Sequence, residues 1–260
     1  MTVRVLLLGG TGDARHLAQR LAEEGIDVTT ALAGRVRTPL LPPGTVRVGG
    51  FGGPDGLTDW LRETRIDAVV DATHPFATTI TANALTATAR LGLPLLALRR
   101  PDWQPRPGDR WHRVDTLADA ATRLPELGRR VFLTTGRRTD LTVFADPDLW
   151  ILLRAVDPPD QPTPPNVTVV IARGPFTVDG ETALLREHRI DVLVTRDSGG
   201  EHTASKLVAA RELGLPVLLI RRPAPPDTPN ARTKEEVMSW LHQLNAGGNA
   251  PVASTDADGG

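Results

Sequence analysis

The sequence predicts an α/β protein made of two parallel-sheet halves with a cleft between them. Three observations carry this. Short apolar runs alternate with amphipathic stretches at helical spacing, the rhythm of parallel strands joined by crossover helices. A glycine-rich turn follows the first apolar run. Two blocks also recur in the same order at a nearly constant offset. Arg65-Ile-Asp-Ala-Val-Val70 is matched by Arg189-Ile-Asp-Val-Leu-Val194, and Arg90-Leu-Gly-Leu-Pro-Leu-Leu-Ala-Leu-Arg-Arg-Pro101 by Glu212-Leu-Gly-Leu-Pro-Val-Leu-Leu-Ile-Arg-Arg-Pro223. More faintly, Val131-Phe-Leu-Thr-Thr-Gly136 echoes Val5-Leu-Leu-Leu-Gly-Gly10. Chance similarity between strands would not preserve order and offset together, so two pseudo-equivalent halves are expected, with ligands held in a cleft.

Residues 3–8 read as a strand buried on both faces, because the apolar run does not alternate. A helix over 13–24 places Ala14, Leu17, Ala18 and Leu21 on one face, and Gly25 stops it. Strands follow at 27–32 and 45–48, then a helix over 55–64. A fourth strand, 67–71, leads into Ala72-Thr-His-Pro-Phe-Ala77 and a long helix to about residue 91; residues 94–98 are the fifth strand. Each half is followed by a further strand and helix, at 113–124 and 231–241. Which half these join stays open, an exchange between halves included. The expected domains are 1–110 and 111–245. Residues 158–165 form a proline-rich surface loop, and 246–260 a small, polar, glycine-rich tail expected to be disordered.

Composition narrows the chemistry. A net charge of −1 gives no basic field for nucleic acid. The absence of cysteine removes disulfides, thiolate catalysis and cysteine-ligated metals together. The six histidines show no paired spacing, so no metal is expected. No apolar run suits a signal peptide or a membrane span, which makes the cytoplasm the expected location.

Gly9-Gly-Thr-Gly-Asp-Ala-Arg15 lies between a strand and a helix, where a Rossmann-like half binds a dinucleotide pyrophosphate on bare backbone and helix N-terminal amides. The match to G-x-G-x-x-G is imperfect, since Arg15 occupies the third glycine position; a plain tight turn is the alternative. After the second strand the chain reads Ala33-Gly-Arg35-Val-Arg37, with no acid to hold ribose hydroxyls. Guanidinium groups there suit a 2′-phosphate and favour NADPH over NADH, unless they are simply solvated. His74 stands at the end of the fourth strand, held extended by Pro75. The corresponding end in the second half reads Thr195-Arg-Asp-Ser-Gly-Gly200, with Lys206 entering the next helix, and could receive an anionic substrate. A turn and helix cap is the alternative. Lys206 is expected to reach a carboxylate without being buried.

Gly-Gly-Thr-x-Asp-Ala-Arg, Ala-Gly-Arg, Asp-Ala-Thr-His-Pro-Phe-Ala, and Thr-Arg-Asp-Ser-Gly-Gly with its following lysine together resemble the precorrin-6A reductase family, over about residues 1–244. The histidine block is the most specific of these. The resemblance implies NADPH-dependent reduction of a carbon–carbon double bond in precorrin-6A, giving precorrin-6B on the route to cobalamin. It implies cofactor contacts from Gly9, Gly10, Thr11, Gly12, Gly34, Arg35, Thr73 and His74, and substrate contacts from Gly136, Arg137, Asp197, Ser198, Gly199 and Lys206. Asp197 and His74 are its candidate proton donors. The 158–165 loop and the tail match no motif of that family.

Two rivals remain at this level. A carbonyl reductase of the short-chain type needs a Tyr-x-x-x-Lys pair, and the chain contains no tyrosine. An NADP-dependent reductase of another small substrate, or an NADP-sensing module, stays open. The tail carries only Val252 as a sizeable apolar group, too little to bury against anything. Deleting residues 246–260 should therefore leave the melting temperature and turnover unchanged; a clear loss of stability would show that the tail docks.

Overall fold

The apolar run at the start of the chain becomes β1 (Arg4–Leu8), near the centre of a six-stranded parallel sheet. Its residues serve both faces in alternation. Val5 and Leu7 join a core with Ala14, Leu17 and Leu21 of α1 (Gly12–Glu23), whereas Leu6 and Leu8 join one with Leu57 and Leu61 of α2 (Gly53–Glu63) and Ala84 and Ala87 of α3 (Thr78–Leu91). A strand covered on both sides has no polar face to offer, which is why its sequence is continuously apolar. β2 (Asp27–Leu32), β3 (Thr45–Val48), β4 (Ala68–Asp71) and β5 (Leu95–Leu98) complete the elements expected from the first half. The computed structural model describes residues 3–34, 40–144, 146–160, 162–200, 203–225 and 227–247; Arg35, Arg37 and residues 248–260 lie outside these.

The second sheet repeats the first. It comprises β6 (Arg110–Val114), β7 (Arg130–Leu133), β8 (Trp150–Ala155), β9 (Val167–Ile171), β10 (Val192–Arg196) and β11 (Pro216–Ile220), with α4 (Leu117–Leu127), α5 (Val178–Glu187) and α6 (Ser205–Glu212) as its helices. The strand order is β6-β11-β10-β7-β8-β9, and that of the first sheet is β12-β5-β4-β1-β2-β3. β12 (Asn230–Ala231) and α7 (Lys234–Asn245) come from the end of the described chain.

The two extra strand–helix elements are thus exchanged. β6 follows β5 in sequence yet pairs with β11 along Pro216↔Arg110 to Ile220↔Val114; β12 follows β11 yet pairs with β5 at Asn230↔Ala97 and Ala231↔Leu98. The compact units are therefore Met1–Arg100 with Pro223–Gly260, and Pro101–Arg222. This differs from the expected division at 110/111. The reason is burial: Ala231, Val237, Met238 and Leu241 belong to the same core as Val5 and Leu7. Among the described residues no helix is long and apolar enough to cross a membrane.

The Arg-Ile-Asp repeat has a structural meaning. Arg65 and Arg189 are the only non-glycine residues with positive φ among those described, at 52° and 48°. Each ends a helix in the left-handed region, and the next residue's amide returns to the helix, Ile66 N to Leu61 O and Ile190 N to Leu185 O. The aspartate then accepts from the start of the neighbouring strand. Asp67 accepts from Arg4 N at 2.8 Å, and Asp191 from Arg129 N and Arg130 N at 3.1 and 2.9 Å. Asp191→Ala should lower the unfolding free energy by about 1–3 kcal/mol, the worth of bonds to a charged acceptor, read from a urea midpoint; an unchanged midpoint would mean that water replaces the carboxylate.

Candidate functional site

All strands of the first sheet run parallel, so their carboxyl ends share one edge, and the order reverses direction between β1 and β4. A crevice for ligands opens at such a switch point. Gly9 closes β1, its amide bonded to Ala31 O at 2.9 Å, and Gly10 takes φ +110° with nothing within 4 Å of where a Cβ would stand. Thr11 caps α1: its Oγ1 accepts from Ala14 N at 3.1 Å and donates to Ala72 O at 2.9 Å. One hydroxyl thus ends one helix and ties the β1 turn to the β4 turn. The cap alone contributes about 1 kcal/mol. Gly12 begins the helix, exposed and also unobstructed. Ala14, 1% exposed, packs where a close helix–sheet approach is needed, while Arg15 faces solvent. The misfit to the glycine fingerprint at Arg15 is therefore harmless. Gly34, beyond β2, has φ +68° and lies against Val48 and Gly49.

The end of β4 is organised by Asp71, which is fully buried. Its Oδ1 accepts from Thr73 N and Thr73 Oγ1 at 3.0 and 2.6 Å; its Oδ2 accepts from Thr81 Oγ1 at 2.6 Å and Arg99 Nη2 at 3.2 Å. His74 then opens a tight turn across Pro75, with Ala77 N donating to His74 O at 2.7 Å and Phe76 N to His74 Nδ1 at 3.3 Å. The structure thus brings Gly9, Gly10, Thr11, Gly12, Gly34, Thr73 and His74 to one sheet edge. Arg35 lies outside the described residues.

The second sheet's edge is built differently. Gly136 after β7 matches Gly10, with φ +88° and open space at its Cβ, but among the described residues no α-helix lies between β7 and β8. The connection is a 3-10 turn, Thr142–Phe144, whose Phe144 is fully buried. Arg137 donates to Asp160 of the proline-rich loop at 2.7 Å, with Arg138 at 3.7 Å from the same carboxylate. After β10, Asp197 is 1% exposed. It accepts from Trp103 N and Arg113 Nη1, both at 3.4 Å, and lies 3.8 Å from Arg222 Nη2. Burial outweighs these partners and holds its pKa above the ordinary carboxylate value. A Cβ on Gly199 would overlap the Arg222 guanidinium and the Pro101 carbonyl. Ser198 folds back on Arg196 O.

The family described as "Precorrin-6x reductase CbiJ/CobK" matches residues 4–242. The chain belongs to the precorrin-6x reductase family. It is 57% identical over 244 residues to "Precorrin-6A reductase" of Rhodococcus erythropolis, covering 93% of this chain and 98% of that one. It is 47% identical over 239 residues to "Precorrin-6A reductase" of Rhodobacter capsulatus, covering 92% and 95%. A solved structure, "CobK precorrin-6A reductase", superposes with a TM-score of 0.89 at 45% identity, covering 96% of this chain and 99% of that one. The α/β fold expected from the sequence is thus shared with that structure.

One reading of the second half needs correction. Lys206 is 7% exposed; its Nζ donates to Thr203 O at 2.6 Å and lies 4.8 Å from the centre of the Trp103 ring. The expectation of an unburied lysine fails because Trp103 covers it. Asp197 is likewise enclosed, accepting from the Trp103 amide. Trp103 itself, also donating from Nε1 to Gly200 O at 2.9 Å, carries no motif and was missed. So was the buried pair of Arg154 and Glu181, joined by two bonds of 2.9 Å with Phe176 beneath the guanidinium. Asp71 stood inside a recognised motif, but nothing in its spacing marked it as the organiser.

A carboxyl whose pKa is raised in the native state favours folding while it is protonated, and that contribution is lost as pH rises through the raised value. Wild type should therefore lose stability relative to Asp197→Asn as pH increases from about 4, the ordinary aspartate value, toward neutrality. Urea unfolding across that range reads the difference; a constant gap would mean that Arg113 and Arg222 fully offset burial.

Proposed function

We propose that this chain reduces one carbon–carbon double bond of precorrin-6A with hydride from NADPH, giving precorrin-6B in cobalamin biosynthesis. The observation that carries the cofactor assignment is the contrast between the two first turns. The unit holding β1 presents a glycine turn and the N-terminus of α1, whose free amides and dipole suit a pyrophosphate. The unit holding β7 presents a 3-10 turn instead. Gly10 and Gly12 fit the cofactor in a simple sense: both are exposed, and nothing lies within 4 Å of where a Cβ would stand. The substrate assignment follows the names of the two relatives.

In this reading Gly9, Gly10, Thr11 and Gly12 cradle the pyrophosphate, Gly34 and Arg35 receive the phosphorylated ribose, and Thr73 and His74 line the reactive end. NADPH supplies a hydride, and the protein's part is orientation and exclusion of water. The hydride goes to one carbon of the double bond and a proton to its neighbour. His74 keeps the role of candidate donor, since it is half-buried at the same sheet edge as the glycine turn. Asp197 remains the second candidate, enclosed and with its pKa raised by burial. Gly136, Arg137 and Ser198 remain the substrate contacts, while Gly199 and Lys206 support the loop.

Mixing purified protein with NADPH and precorrin-6A should oxidise the cofactor in step with a visible change of the pigment. NADPH binding without oxidation would favour a sensor and sink the enzyme reading. Arg35→Ala should weaken NADPH binding by about tenfold or more, the worth of one charged bond, while NADH binding barely changes; equal losses for both would place Arg35 in the fold rather than at the phosphate.

A further inference from the structure

We propose that Arg100 is a cofactor-binding residue whose guanidinium engages the pyrophosphate of the dinucleotide, a step that rests on the cofactor reading above. The argument begins with reach. Arg100 lies two residues beyond the end of β5, and β4 stands between β5 and β1. Its Nη1 nevertheless donates to Asp13 Oδ2, in the first turn of α1, at 3.1 Å. The side chain therefore spans the carboxyl end of β4 and lies over the switch-point crevice. Both partners are largely shielded, with 17% and 27% of their side chains exposed.

Charge supplies the second part. The N-terminus of α1 attracts an anion, but Asp13 places a carboxylate in that same turn, where it would repel a phosphate. Arg100 cancels this charge and adds a planar donor fork of the kind that grips phosphate oxygens in pairs. Asp13 in turn holds the long side chain at the turn, so less freedom is lost when the ligand arrives.

The internal repeat provides a control. Arg222 is the counterpart of Arg100 in the Arg-Arg-Pro block. It is bonded within its own unit to Asp197 O at 2.9 Å, to Pro101 O at 3.3 Å and to Asp102 at 2.6 Å. Among the described residues no α-helix lies between β7 and β8 for it to reach. The preceding arginine, Arg99, is tied to Asp71. Of these arginines, Arg100 is the one held at a dinucleotide-type turn.

Equilibrium titration of the full chain with NADPH, NADH and adenosine 2′-monophosphate tests this without reference to turnover. Arg100→Met should raise the Kd of both dinucleotides by about tenfold, with a shallower dependence on salt. The Kd of adenosine 2′-monophosphate, which has no pyrophosphate, should stay unchanged. Arg100→Lys should recover only part of the loss, since it restores the charge without the paired donors; should the methionine variant not fold, this variant gives the same pattern at smaller size. Unchanged dinucleotide binding in Arg100→Met would overturn the proposal, as would an equal loss for adenosine 2′-monophosphate, which would make Arg100 a prop for the fold. A wild-type chain that bound neither dinucleotide would instead overturn the cofactor reading on which this step stands.

Discussion

The register between neighbouring central strands depends on one small device used twice. A helix ends on an arginine in the left-handed region, the following isoleucine is drawn back against the helix, and the next aspartate takes amide protons from the start of the adjacent strand. In a parallel sheet, fixing where two strands begin also fixes where they end. The carboxyl ends of β1 and β4 are thereby brought level, and the Thr11 hydroxyl can span from the β1 turn to the carbonyl of Ala72. Slippage of one residue would part Asp71 from Thr81 and Arg99 and leave an unpaired carboxylate inside, a cost of several kcal/mol.

From that shared frame the two units diverge at a single connection. After β1 the chain enters a helix capped by Thr11, and its backbone is left bare at Gly10 and Gly12. After β7 it makes a 3-10 turn, buries Phe144 and continues directly into the next strand. The second unit spends its polar side chains differently. Asp197, Arg113, Arg222, Lys206 and the carbonyl of Gly200 are gathered around Trp103, so residues 197–200 after β10 are held by these partners. The strand-end motifs of this chain therefore contain two kinds of residue: those that leave a surface bare, as at Gly10, and those that hold a loop in shape, as at Lys206.

Much of the fold was readable from local pattern. The boundaries of β2 and β3 match the apolar runs, and the recurrence of Arg-Ile-Asp announced a second sheet before its strands could be placed. The destination of β6 and β12 was not readable, because a strand's propensity does not say which edge it will pair with. Of the site, the glycine turn was legible, since its conformation demands glycine whatever surrounds it. Lys206 was not, since its environment is decided by a tryptophan far off in sequence, and no periodicity links them. Asp71 was visible as a letter in a motif, but its four partners come from three separate segments.

The exchanged sixth strands impose an order of events on a chain made from its N-terminus. The unit Pro101–Arg222 is one uninterrupted stretch, and every strand of its sheet has emerged once β11 has left the ribosome. The other unit, although most of it is synthesised first, cannot close its sheet until β12 and α7 arrive after the whole of the second unit. Until then β5 has an unpaired edge, and the surface of Val5, Leu7 and α1 that meets Val237, Met238 and Leu241 stays open to water. The half proposed to hold the nucleotide is begun first and finished last.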